Sequence, residues 1–236
     1  MNCKCKISAS RKILELPAGL RPRLLAGLTS LELSAVLSEA THRRFSENGV
    51  VIHEDDRAER MFVLTSGEGK QFVLTGNGRK IVVHWITAGQ GFGGVAMTSS
   101  PSNYLASTEI RAGSCALVWE RDAIRQLIAR FPKLLDNAFS TAIFENIASM
   151  VGARISLSTD DAQARVAHLL LSLACGIGKY GPDGVEILAG NEDLASGANV
   201  TLFTVSRILS KWQREGILHK RRGKVILRQP ELLAGE

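Results

Sequence analysis

A change of hydrophobic pattern near residue 120 constrains this fold more than any other feature of the sequence. Between residues 42 and 120, short runs rich in Val, Ile and Phe alternate with glycine-bearing breaks, as is typical of strands. From Arg121 onward, apolar residues recur every three or four positions, as is typical of helices. The pattern therefore predicts an α+β protein whose strands precede most of its helices.

The β-rich half is expected to contain six strands separated by tight turns. The breaks at residues 66–69 and 76–78 contain glycine, and the second also contains asparagine. These residues accept the positive φ that hairpin turns require. Regular short strands with such turns favour a β-sandwich or barrel. The expected strands are residues 49–53, 60–66, 70–75, 79–85, 107–111 and 115–119.

Helices are expected at residues 22–40, 121–130, 132–156 and 161–176, with a hairpin near 181–184. Pro132 suits the first turn of the longest helix. Apolar residues recur along that helix, which predicts that it pairs with its copy in a homodimer. Packing on its own domain alone is the alternative. The apolar positions include Leu135, Phe139, Ala142, Ile143, Ile147 and Val151.

Positive charge is concentrated near the C-terminus. The chain has a formal net charge of +6, and the segment from Thr201 to Arg228 holds eight basic residues and a single acid, Glu215. Such a segment favours a polyanionic partner, and a solvated basic surface is the alternative. The basic residues are Arg207, Lys211, Arg214, Lys220, Arg221, Arg222, Lys224 and Arg228.

A helix-turn-helix is expected between residues 191 and 215, followed by a two-stranded wing at 217–227. Asn191 is the candidate cap of the first helix, and Gly197 is expected to be left-handed in the turn. Thr201 is expected to cap the second helix and Gly216 to end it. The inner face would consist of Leu194, Ala195, Val205, Ile208, Leu209 and Trp212.

The second helix of this motif carries the candidate DNA contacts, because a major groove admits one α-helix. Arg207 is the best candidate for a base contact, since a guanidinium bonds both acceptors of guanine. Basic wing residues would neutralise phosphates without reading sequence. A small helical bundle with an incidental glycine is the alternative. The candidate DNA-binding residues are Thr201, Phe203, Thr204, Ser206, Arg207, Lys211, Lys220, Arg221, Arg222 and Lys224.

These residues resemble the recognition region of the Crp/Fnr family of bacterial regulators, most specifically at residues 193–195, 204–209 and 215–218. The resemblance implies a jelly-roll sensor domain similar to cyclic-nucleotide-binding domains and a winged helix-turn-helix that binds double-stranded DNA. It also implies a homodimer on a palindromic operator, with RNA polymerase as a further expected partner. The expected regions are a tail (1–21), the sensor domain (22–131), a dimerisation helix (132–157) and the DNA-binding domain (158–236).

Phe203 departs from the family pattern. Many members carry glutamate there, where it accepts a hydrogen bond from cytosine. A phenyl ring cannot accept that bond, although it can contact a thymine methyl group. We therefore expect an operator that differs from the family's commonest half-site.

The phosphate cassette of the expected sensor domain is degenerate. By resemblance, ligand-binding members hold the ribose with a glutamate and the cyclic phosphate with an arginine, followed by a hydroxyl residue. Gly94 stands in place of the glutamate, after Gly93, and Tyr104 and Leu105 stand in place of the other two. Phosphate favours a bidentate arginine, so we predict no useful affinity for cyclic AMP and leave the effector unknown.

An iron–sulfur cluster and haem are the alternative signals. A cluster needs four converging thiolates, whereas Cys3 and Cys5 lie far along the chain from Cys115 and Cys175. Cys175 is expected to be a core residue. Cys3 and Cys5 are the candidate redox residues, although incidental cysteines in a tail are the favoured interpretation. Haem would need a sensor-half histidine, and the candidates are His42, His53 and His84.

Other classes of protein are not favoured. The chain contains no P-loop, zincin motif or nucleophile elbow, so we predict a non-enzyme without a bound metal. A small-molecule-binding module or enzyme with no DNA role is the remaining alternative. The absence of a signal peptide or membrane-length apolar run leads us to expect a cytoplasmic protein.

Overall fold

The computed structural model describes residues 16–142 and 147–233. The chain folds into two compact units. The first runs to residue 73 and resumes from 86 to 148, and the second combines 74–85 with the residues described from 149 onward. No helix within the described ranges has the length and apolar character needed to cross a membrane.

Two four-stranded sheets, ordered β1-β8-β3-β6 and β2-β7-β4-β5, form the β-rich part of the chain. Their inner faces share one core that includes Phe62, Leu64, Ile86, Ile110 and Trp119. The predicted sandwich is therefore confirmed. The strands are β1 (Thr41–Arg44), β2 (Gly49–Ile52), β3 (Arg60–Ser66), β4 (Glu68–Leu74), β5 (Lys80–Thr87), β6 (Gly91–Phe92), β7 (Ser107–Ile110) and β8 (Cys115–Glu120).

Six of these strands match the sequence prediction to within two residues at each end. The prediction missed β1 and β6. The β1 strand lies at a sheet edge with mostly exposed polar residues, so no apolar alternation marks it. The β6 strand has only two residues, which is too short for a pattern.

The helical segment expected at residues 22–40 is two elements. A 3-10 turn at Arg23–Leu25 precedes helix α1 (Ser30–Ser38). Gly27 lies between them with a left-handed φ of 68°, which glycine adopts without strain. Thr29 caps α1 in a reciprocal arrangement with Glu32, and the backbone N–H of Thr29 lowers the pKa of the Glu32 carboxyl.

Helix α2 spans Arg121–Arg130 as predicted. The long helix expected at 132–156 is represented by α3 (Lys133–Thr141) and α4 (Ala148–Thr159), and residues 143–146 lie outside the described ranges. Leu134 of α3 is fully buried, so α3 packs on the core of the first unit. Three apolar side chains that are described in α4 are exposed, namely Val151, Ile155 and Leu157.

The second unit contains the predicted helix-turn-helix and wing. Its inner-face residues Leu194, Ala195, Val205, Ile208, Leu209 and Trp212 are all buried, as predicted. The wing belongs to a four-stranded sheet of order β11-β12-β10-β9, larger than the expected two-stranded one. The elements are α5 (Ala162–Ile177), β9 (Lys179–Gly181), β10 (Gly184–Ile187), α6 (Asn191–Gly197), α7 (Leu202–Arg214), β11 (Leu218–Arg221), β12 (Lys224–Leu227) and a 3-10 turn at Pro230–Leu233.

Three local predictions in this unit were wrong. Asn191 is the first residue of α6, and Gly190 occupies the cap position without a side-chain bond. The left-handed residue of the turn is Asn199, with a φ of 48°, whereas Gly197 is still helical. A Cβ on Gly197 would lie 2.9 Å from Leu169 Cδ2, so a larger residue there would displace the end of the Leu169 side chain. Cys175 is exposed and does not belong to the core.

Candidate nucleic-acid interface

Helix α7 is anchored at its N-terminus and along one face. The hydroxyl of Thr201 accepts a hydrogen bond from the backbone N–H of Thr204 at 3.1 Å, so Thr201 is the cap that the sequence predicts. Val205, Leu209 and Trp212 are fully buried on the inner face. The opposite face presents residues spaced by four, three and four positions, namely Phe203, Arg207, Ser210 and Arg214.

The outer face begins with an aromatic ring and a cation. Phe203 is 78% exposed, and Arg207, one turn later, is also exposed. No hydrogen bond or ion pair joins the Arg207 guanidinium to any residue in 16–142 or 147–233, so its donors face solvent. The next residue on this face, Ser210, donates its hydroxyl to the carbonyl of Ser206 at 2.7 Å.

Three predicted contact residues beside this stripe already have partners within the protein. The hydroxyls of Thr201 and Thr204 lie 2.8 Å apart, so one donates to the other. The Lys211 ammonium donates to Oε1 of Gln163 in α5 at 3.0 Å. Lys211 is accordingly half-buried and faces α5, in contrast to the exposed Arg207.

The basic wing divides into exposed and paired residues. Arg221 and Arg222 are exposed at the turn between β11 and β12. Lys220 is half-buried, and its backbone N–H donates to Gln213 of α7 at 2.9 Å. Lys224 forms an ion pair with Glu186 at 2.5 Å, and the hydrogen bond from Lys224 is the main reason that the pKa of Glu186 is lowered. The exposed cations of the wing therefore lie at the turn.

Two arginines with roles on or next to α7 were not among the candidate DNA-binding residues predicted from the sequence. Arg214 lies two turns beyond Arg207 on the same face, a position that the helical period alone identifies. Arg165 in α5 donates to the carbonyls of Asp160 and Ala198, at 2.7 and 3.1 Å. It thus fixes the turn before α7, a role that no local pattern reveals because the two carbonyls lie on different elements.

The degenerate cassette forms a tight loop in the β-rich part. Phe92 stacks on Phe62, with ring centroids 4.7 Å apart and planes within 6°. Gly93 has a φ of 75°, and a Cβ there would lie 2.6 Å from the carbonyl oxygen of Arg60. Gly94 begins a 3-10 turn, Gly94–Met97, and a Cβ on it would meet no atom within 4 Å.

Tyr104 and Leu105, at the family's arginine and hydroxyl positions, point in opposite directions. Tyr104 is 7% exposed, and its hydroxyl donates to the carbonyl of Arg60 and accepts from the Arg60 N–H, both at 2.9 Å. Burial raises the pKa of Tyr104, so this hydroxyl stays protonated and continues to donate. Leu105 is largely exposed.

Arg121 is a buried cation near the cassette, but its donors face the protein backbone. Its guanidinium donates to the carbonyls of Ala96 and Thr98 at 2.9 and 2.8 Å. These bonds satisfy a charged group that is 8% exposed, and they hold the chain that follows the cassette.

The cysteines and histidines considered as redox or haem residues form no metal-binding cluster within the described part of the chain. Cys3 and Cys5 lie outside the described residues. Cys115 is buried in β8, whereas His53 is exposed. Burial lowers the pKa of His42. No group of three His, Cys, Asp or Glu side chains suited to a metal ion occurs in the part of the chain that is described.

Family comparisons agree with both halves of the structure. The profile of the cyclic nucleotide-binding domain matches residues 42–131, and that of the Crp-like helix-turn-helix domain matches residues 164–235. The probable transcriptional regulator flp of Lacticaseibacillus casei is 26% identical over 202 residues, which cover 83% of this chain and 86% of that protein. The cyclic AMP receptor protein of Thermus thermophilus is 22% identical over 219 residues, which cover 89% and 94%.

Solved structures show the same fold. FixK2 from Bradyrhizobium japonicum superposes with a TM-score of 0.70 at 20% identity, covering 83% of this chain and 96% of that one. The c-di-GMP-responsive regulator CLP of Xanthomonas campestris gives a TM-score of 0.72 at 18% identity, covering 84% and 99%. With the two matched profiles, which together span more than half of the chain, these findings establish that the protein belongs to the Crp/Fnr family of DNA-binding transcription regulators.

Proposed function

We propose that this regulator binds a palindromic operator sequence-specifically as a homodimer, with α7 of each protomer in a major groove. The observation that carries this proposal is the outer face of α7, where the Arg207 guanidinium is exposed and unpaired within the described residues. In the major groove, the edge of a guanine base presents two hydrogen-bond acceptors that match the forked donors of a guanidinium. A DNA-binding role also leads us to infer that the protein acts where the chromosome lies, in the cytoplasm.

The proposed homodimer is supported by the apolar residues of α4. Val151 and Ile155 lie one turn apart, and both are more than half exposed. Ile147, one turn before Val151, continues the same row. Because exposed apolar residues in a row favour a second apolar surface, we assign this row to contact with its copy in the partner.

The proposed signal is not cyclic AMP. The position where family members place the phosphate-binding arginine holds Tyr104, whose hydroxyl already bonds the backbone of Arg60. Nearby Arg121 directs its guanidinium at backbone carbonyls. A cyclic phosphate would therefore lack the bidentate cation that it favours. Calorimetry that measured micromolar or tighter cyclic AMP binding would refute this part of the proposal.

The experiment that tests the function is binding-site selection from random duplexes with the full-length protein. We expect a palindrome with half-sites about one DNA turn apart. Sedimentation of the protein on the selected duplex should give two protomers per DNA. Replacement of Val151 and Ile155 by serine should weaken self-association, whereas serine at the exposed Leu31 of α1 serves as a control. Failure to retard any duplex at low salt would contradict the proposal.

The proposed role is regulatory and not catalytic, and RNA polymerase is its proposed further partner. The support is the family itself, since the relatives compared above carry the names of transcription regulators or receptors. Transcription of a promoter that contains the selected operator, in a purified system with and without the protein, tests both points.

A further inference from the structure

The first turn of α7 is apolar where it is most exposed. Leu202 and Phe203 are consecutive, and they are 49% and 78% exposed. No acidic residue lies in this turn. Acidic side chains are stabilising at helix N-termini, so two apolar residues here bring no advantage to the isolated helix. Their exposure points to a contact made outside the protomer.

The position of Phe203 relative to Arg207 identifies that contact. The two residues are four apart on the outer face of α7, and Phe203 is nearer the N-terminus. In this motif, the N-terminal part of the second helix meets base edges in the major groove. The one apolar group on a base edge there is the C5-methyl of thymine.

We propose that Phe203, flanked by Leu202, is a specificity-determining residue that selects a thymine by contact with its C5-methyl group. This inference rests on the proposed function and adds the identity of one base pair. Phe203 offers no acceptor for the amino group of cytosine, so a C·G pair at this position gains no hydrogen bond. The helix rises about 6 Å over four residues and DNA about 3.4 Å per base pair. The thymine therefore lies within about two base pairs of the guanine that Arg207 contacts.

The test begins with parallel selections using wild type and Phe203→Ala. The base pair whose preference changes between the two selections is the Phe203 position, and we expect thymine there for wild type. A selection with Phe203→Glu should change this pair to C·G, because glutamate accepts from the cytosine amino group. Cytosine at this position for wild type, or no position that changes, would overturn the inference.

Base analogues then isolate the methyl group. Uracil in place of the selected thymine removes only the methyl, and we expect wild type to bind about fourfold more weakly for each half-site altered. Conversely, 5-methylcytosine should bind more tightly than cytosine at the same position. Phe203→Ala should bind the thymine and uracil duplexes equally. Tyr180→Ala, which alters an exposed aromatic residue of β9 in the same unit, is the matched control and should keep the fourfold difference.

The outcomes separate this inference from the proposed function. If wild type binds its selected duplex but does not distinguish thymine from uracil, the methyl contact is refuted and the DNA-binding role stands. Retention of the difference by Phe203→Ala would equally refute it. If wild type selects no duplex at all, both the function and the inference fail.

Discussion

The outer face of α7 and the degenerate cassette differ in where their polar groups point. On α7 the cation Arg207 faces solvent. In the cassette region, Tyr104 and Arg121 bond to backbone groups of their own unit. A group that already has its hydrogen bonds gains little from a ligand, whereas an exposed guanidinium can form new ones. The difference supports our proposals that an anionic partner is recognised at α7 and that the cassette residues have a structural role.

Trp212→Ala should have the largest effect of these variants on stability. It tests the structural role of the inner face of α7, in contrast to the proposed recognition role of the outer face. Trp212 is fully buried in the core of the second unit. Its removal leaves a cavity, and we expect a loss of ~3–5 kcal/mol in the free energy of unfolding. Urea unfolding followed by circular dichroism measures it, with the exposed Tyr180→Ala as control. A cost below about 1 kcal/mol would mean that α7 is not anchored through this face.

Tyr104→Phe tests the structural role of the cassette position. The substitution leaves the N–H and carbonyl of Arg60 without the Tyr104 hydroxyl, at a cost of ~1–3 kcal/mol in unfolding free energy. Tyr180→Phe removes an exposed hydroxyl and should change nothing measurable. Unchanged stability in Tyr104→Phe would contradict the contrast with α7, because the Tyr104 hydroxyl would then be available to bond a ligand.

The wing provides the smallest effect, measured as the salt dependence of DNA binding. Arg222 is exposed, whereas Lys224 is paired with Glu186. We therefore expect Arg222→Ala to reduce the slope of log affinity against log salt by about 1, and Lys224→Ala to reduce it by less. Equal reductions in slope would show that the Lys224–Glu186 ion pair opens when the protein binds DNA. An ion pair in the free protein would then not indicate which residues contact phosphate.

Sequence predicts those parts of this molecule that depend on short-range periodicity. The buried row from Val205 to Trp212 and the Thr201 cap follow from spacing within one helix. By contrast, the Tyr104–Arg60 bonds join residues 44 positions apart, and the Lys224–Glu186 pair joins residues 38 apart. Such contacts depend on how strands and helices pack, so no local pattern contains them.

The turn of the helix-turn-helix shows the same limit on a smaller scale. The sequence predicts that Gly197 is the left-handed residue of this turn, whereas Asn199 takes that conformation and Gly197 is still helical. Gly197 instead allows α6 to approach Leu169 of α5. Glycine suits both a left-handed turn and a close contact between helices, and only the tertiary packing shows which role a given glycine has.

The most direct test of the central claim replaces the operator guanine assigned to Arg207 by 7-deazaguanine, which lacks the N7 acceptor. Fluorescence anisotropy would compare wild type and Arg207→Ala on both duplexes. If Arg207 bonds that base, the analogue weakens wild type, Arg207→Ala loses ~1–3 kcal/mol on the natural duplex, and the variant does not distinguish the two. Equal binding of both duplexes by wild type at every guanine of the half-site would contradict placement of α7 in the major groove.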